Sequence, residues 1–195
     1  MTHITRRTFS ALLLGATLFA ATPVLAQEGT PHLLLTLEDG VVDIELLPAI
    51  APKHVERVVA LAEDGAYDGV VFHRVIDGFM AQTGDVRYGK EGGAEFNLQM
   101  AGMGGSDLPD VVAEFNSESF QRGVVGAARS QDPNSFNSQF FITTADASFL
   151  DGQYTVFGKV VSGMDYVDAL EKGPKELNGA VANPDKIVKA EIEYK

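Results

Sequence analysis

The chain has 195 residues, no cysteine, and 27 acidic against 15 basic side chains, a net charge of −12 at neutral pH. A field of that sign repels phosphate backbones and anionic lipid, so no nucleic-acid partner is expected. The lack of cysteine excludes a lipid-modified N-terminal cysteine and suits an oxidising compartment, where no thiol needs protecting.

In chain order, the first segment is a signal rather than a fold element. Arg6 and Arg7 precede Phe9, an apolar run follows from Ala11 to Ala21, and Val24-Leu25-Ala26 supplies a cleavage pattern. Residues 1–26 therefore read as an export signal of twin-arginine type, and the run is short for a membrane span of ~20 residues. Its removal leaves one domain, residues 27–195, with 13 basic against 27 acidic side chains, net −14. The expectation is a periplasmic monomer with no membrane span.

Two strands are predicted at His32–Glu38 and Val41–Leu47, separated by the hairpin signal Asp39-Gly40. Pro48 and Pro52 stop strand propagation. Val55, Val58, Val59 and Ala62 then recur at helical spacing over Ala51–Ala62, and Gly65 ends the helix. Strands follow at Val70–Ile76 and Phe79–Asp85 about a turn at Asp77-Gly78. The glycine-rich stretch Gly89–Pro109 has no period and reads as a long loop. Further strands are predicted at Val124–Ser130, Ser138–Thr144 and Thr155–Val161, a short second helix at Met164–Glu171, and a closing strand at Ile187–Tyr194. Many short strands with two helices predict an antiparallel barrel or sandwich, and pattern alone leaves both open.

Chemistry concentrates in Phe72–Asp85. Residues two apart on a strand share a face, so His73 points away from Phe72 and Arg74, into the packing. The turn at Asp77-Gly78 returns Phe79, Met80 and Gln82 alongside Arg74. One patch thus collects a cation, two bulky apolar groups and an amide.

The phrases FHRVI-x-GFM-x-Q-x-GD (Phe72–Asp85), SQFFI (Ser138–Ile142) and FLDG-x-Y-TVFGKV (Phe149–Val160) together resemble the cyclophilin signature. The resemblance runs from about Pro31 to Tyr194 and is weakest at Val86–Val112 and Lys172–Pro184. It implies a mainly β fold, a closed eight-stranded antiparallel β-barrel capped by two α-helices, with a shallow proline-binding groove outside. It implies peptidyl-prolyl cis/trans isomerase activity on proline-containing polypeptides, with neither cofactor nor metal. Carried over by position, Arg74 is the catalytic residue. Phe79, Met80, Phe141 and Leu150 wall the proline pocket, Gln82 and Gln139 orient the substrate backbone, and Ala128–Arg129 runs beside the peptide. Phe149 stands where the commonest eukaryotic pattern has tryptophan, and Tyr154 where it has histidine. Arg129-Ser130-Gln131 replaces a run of small residues, with one extra residue before Gln139.

The rival expectation is a non-catalytic module on the same barrel that holds proline-containing segments. A small-ligand barrel would need an open interior, which the many inward Phe and Val positions fill. Gly84–Glu91 stops short of a phosphate loop because Glu91 stands where Ser or Thr must hold magnesium. No histidines fall at ligand spacing, and no serine sits in a nucleophile elbow.

Overall fold

The computed structural model describes Met1 and residues 29–195; the expected export signal lies outside the described residues. Eight strands, all paired antiparallel, form one sheet: β1 (Pro31–Thr36), β2 (Val41–Leu46), β3 (Arg74–Ile76), β4 (Met80–Thr83), β5 (Val124–Ala127), β6 (Phe140–Thr143), β7 (Val156–Ser162) and β8 (Lys189–Tyr194). Their order across the sheet is β3-β4-β6-β5-β7-β2-β1-β8. Helix α1 (Pro52–Glu63) lies against β8, and α2 (Met164–Ala169) lies against β2. No described helix is long and apolar enough to cross a membrane.

Both helices and all eight strands overlap the predicted segments, with β3 cut back to the last three residues of its span. Pro52 occupies the first turn of α1, where a missing N–H costs nothing. Gly78 supplies the positive φ of +68° that the β3–β4 turn needs.

The expected closed ladder is not continuous. β3 and β8 are the two edges, and β3 is shorter than the predicted Val70–Ile76 strand. Residues 69–75 bond instead to the connector before β8: Phe72 N donates to Asp185 O (2.8 Å), Val75 N to Gly179 O (2.8 Å) and Val181 N to His73 O (3.1 Å). The connector reaches the β3 edge at isolated bridges, Arg74 with Ala180 and Val71 with Lys186, before the chain turns into β8. Alternating turns in the connector prevent a regular ladder there.

β5 and β6 are buried on both faces, so they read as apolar runs rather than alternating strands. Inward, Val125, Ala127, Phe140 and Ile142 join the main core with Leu33, Ile44, Tyr67 and Phe157. Outward, Val124 and Phe141 join Met80, Phe120, Ala147 and Val156 in a smaller cluster, against which Phe79, Ala128, Leu150 and Tyr154 pack. This second cluster is the floor of the site.

Candidate active site

One row across the sheet carries the site. Register partners run Arg74–Gln82–Phe141–Gly126–Val156 over β3, β4, β6, β5 and β7, and directly opposed residues project to the same face. A Cβ on Gly126 would stand 2.5 Å from Phe141 Cζ and 2.6 Å from Phe120 Cε1. Glycine at that position lets those two rings stack at 5.6 Å under the groove.

Above this floor Phe79, Met80, Phe141 and Leu150 wall a cavity of about 200 Å³, with Ala128, Arg129 and Tyr154 on one side and Arg74 and Gln82 on the other. The predicted pocket is therefore assembled from segments up to eighty positions apart. Two predicted residues sit outside it. Gln139 lies behind Gln82, in an adjoining polar cavity of about 570 Å³. Phe149 is 63% exposed and lays its ring 5.5 Å from that of Phe79.

Arg74 is held on several sides. Its Nη1 donates to Gln82 Oε1 (3.2 Å) and touches Met80 Sδ (3.7 Å). Its Nε donates to Asn178 O (2.9 Å) and its Nη2 to Asn178 Oδ1 (3.0 Å). The amides behind it form a directed chain: Gln82 Nε2 donates to Gln139 Oε1 (3.0 Å), and Gln139 Nε2 to Gly104 O (2.8 Å). This chain points Gln82 Oε1 at the guanidinium. Partial burial lowers the Arg74 pKa, an effect opposed by Tyr154, but an arginine stays charged at neutral pH.

Arg129 sits with its Cζ 4.4 Å over the Tyr154 ring. Its Nε and Nη2 donate to Gln153 O (3.3 and 2.9 Å) and its Nη1 to Ser130 O (2.9 Å). The departure from small residues at this position thus adds a fixed cation to the groove wall.

Sequence reasoning missed Asn178 and Asp85. Asn178 is the only described non-glycine residue with positive φ, at 53°, and it lies in the weakly resembling stretch. Asp85, fully buried, accepts N–H groups from Arg87, Tyr88, Gly102 and Gly104 at 2.7–3.1 Å. It thereby ties the glycine-rich loop to the end of β4 and positions Gly104 for Gln139. Phe72 joins the main core rather than sharing the face of Arg74, and His73 packs against Gly102 of the glycine-rich loop. It is 6% exposed, neither ring nitrogen finds a partner among the described residues, and burial holds its pKa down at about 4 against the pull of Asp85.

The geometry offers a fixed, charged donor beside a small apolar pocket, with no described cluster of metal-ligating side chains. Such a site can hold a ring and place a hydrogen bond next to it. The family model described as cyclophilin type peptidyl-prolyl cis-trans isomerase/CLD matches residues 32–192. A probable peptidyl-prolyl cis-trans isomerase of Brucella suis is 57% identical over 185 residues, covering 95% of this chain and 92% of the relative. Among solved structures, a cyclophilin from Hirschia baltica superposes with a TM-score of 0.67 at 28% identity, over 82% of this chain and 73% of that one. A cyclophilin type isomerase of Cryptosporidium parvum, solved in the presence of the dipeptide Ala-Pro, gives 0.70 at 25% identity over 84% and 99%.

Proposed function

The chain belongs to the cyclophilin-type peptidyl-prolyl cis-trans isomerases, and from that premise we propose that it accelerates rotation about X-Pro bonds of exported polypeptides in the periplasm, with Arg74 as catalytic donor. The reaction breaks no covalent bond. Rotation is opposed by delocalisation of the nitrogen lone pair into the carbonyl, a barrier of ~18–20 kcal/mol. In the twisted state the nitrogen regains its lone pair and becomes a better acceptor. A donor fixed where that lone pair develops binds the transition state more tightly than either isomer.

The observation that carries this reading is the clamp on Arg74. Asn178 and Gln82 fix the guanidinium, while the other described contact on Nη1 is the weak thioether of Met80. One Nη2 hydrogen also has no acceptor among the described residues, so donors remain for the prolyl nitrogen or its carbonyl. In this reading Phe79, Met80, Phe141 and Leu150 hold the pyrrolidine ring, Gln82 and Gln139 take the substrate backbone, and Ala128 and Arg129 flank it. Phe149 and Tyr154 form the rim. The seam bonds between residues 69–75 and the connector support a barrel closed through its loops. The Arg6-Arg7 signal pattern supports export.

The test is cis-to-trans exchange of an Ala-Pro-Phe peptide with the purified protein and Arg74→Ala. We expect strong acceleration by the wild type, with about a hundredfold or more lost in Arg74→Ala at unchanged fold, in line with removal of one preorganised donor. Peptide binding without acceleration by the wild type would leave the non-catalytic module as the function.

A further inference from the structure

Arg129 gives the groove a second cation, one without a counter-ion among the described residues. Among the described arginines, Arg87 pairs with Glu95 and Asp107, Arg122 pairs with Asp168, and Arg57 on α1 is taken up by the carbonyls of Asn137 and Pro109. Arg74 and Arg129, the two that line the proline-sized cavity, have no carboxylate within ion-pair reach among the described residues. In a chain with 27 acidic residues, the groove is thus a local cationic site on an anionic molecule.

The two arginines are placed for different tasks. Arg74 is clamped by Asn178 and Gln82 at the side of the cavity. Arg129 stands at the junction, lining both the 200 Å³ cavity and the 570 Å³ cavity beside it. With a proline ring in the smaller cavity, a residue adjoining that proline lies across the junction. The Arg129 guanidinium is preorganised there by the Tyr154 ring and two backbone carbonyls. Those bonds use three of its five N–H groups and leave one on each terminal nitrogen, a fork suited to a carboxylate. The larger cavity has one carboxylate in its lining, Asp110, which already accepts Asn137 Nδ2 at 3.0 Å.

We propose that Arg129 makes the groove selective for polypeptides with an acidic side chain on a residue adjoining the proline. The proposal rests on the isomerase reading above and names its substrate class. It is tested by kcat/KM, each corrected for the uncatalysed rate, on matched peptides with Glu, Gln or Lys immediately before the proline, and a second set with Glu or Gln immediately after it. Wild type and Arg129→Gln are compared at low salt and at high salt. We expect Glu over Gln by about fivefold in at least one set, the size of a partly exposed charge-assisted pair. Lys should lie below Gln. The Glu:Gln ratio should fall toward one in Arg129→Gln and at high salt. Ratios taken within one protein cancel any general loss of activity in the variant. A wild-type Glu:Gln ratio of one in both sets overturns the proposal, as does a preference that survives unchanged in Arg129→Gln. Absence of acceleration on the Gln peptides as well would instead overturn the isomerase reading.

Discussion

Asn178 supports Arg74 with two oxygens, one from the backbone and one from the side chain, both within 3.0 Å. Its φ of 53° lies in the left-handed region, which asparagine tolerates better than most residues. The carbonyl is aimed by the turn and the amide by the side chain, so the two contributions separate by substitution. Asn178→Gly keeps the backbone conformation and the carbonyl while deleting Oδ1. One hydrogen bond to a charged donor, partly exposed, contributes about 1 kcal/mol, so kcat should fall roughly fivefold. KM should move little, because the apolar walls are untouched. Steady-state kinetics beside a thermal melt decides the matter: an unchanged kcat would show that the backbone carbonyl alone orients the guanidinium. Asn178→Ala should lose more, since alanine is strained at that φ.

At the scale of elements, α1 lacks a cap from its own sequence. Ala51 offers no side-chain acceptor, yet the Lys53 and His54 N–H groups are met by Glu114, at 3.0–3.2 Å, from a loop sixty positions on. The same carboxylate accepts His54 Nδ1 at 2.7 Å, and the buried His54 ring stacks 4.5 Å from Phe136. Burial pushes the Glu114 carboxyl up, but its three donors together outweigh that and hold it below the usual range. Glu114→Ala removes the cap and strands a buried ring nitrogen. We expect a loss of about 2 kcal/mol and a melting temperature lower by roughly 4–8 °C, read by calorimetry. A melt within a degree of wild type would show that water caps the helix equally well. This contact also marks where the sequence stops being legible. The β3–β4 hairpin with Arg74, Met80 and Gln82 could be read because strand period and one turn determine it. Phe141 and Gln139 came into view only through the resemblance. Asn178, Asp85 and Glu114 act across 104, up to 19 and 60 positions, and no local period encodes such pairings. For the same reason the edge at Val70–His73 was overestimated as strand, since its partner is an irregular connector.

For the molecule as a whole, acid sets two effects against each other. Protonating carboxylates relieves the self-repulsion of a chain at −12, which favours the compact state. That repulsion is spread over the surface and screened beyond ~8 Å at physiological salt. Against it stand buried titratable groups. Burial lowers the pKa of His73 from 6.5 to about 4, and burial likewise lowers that of His54 despite the opposing Glu114. A histidine whose pKa is depressed by folding takes its proton more readily in the unfolded chain. Its stabilising contribution is therefore complete above about 6.5 and is lost as the pH falls toward 4. For His73 alone the loss is ~2 kcal/mol by pH 5, a sizeable share of a net stability of ~5–15 kcal/mol. The Glu114 carboxyl, also depressed, adds to the loss once the pH drops below its ordinary range. The histidines should win. Urea unfolding at constant moderate salt should show the midpoint falling steadily from pH 7 to pH 5, and His73→Leu should flatten that slope whatever its own baseline stability. A His73→Leu slope as steep as that of the wild type would move the acid sensitivity to His54, whose pKa burial also lowers, and His54→Leu would then be the variant that flattens it.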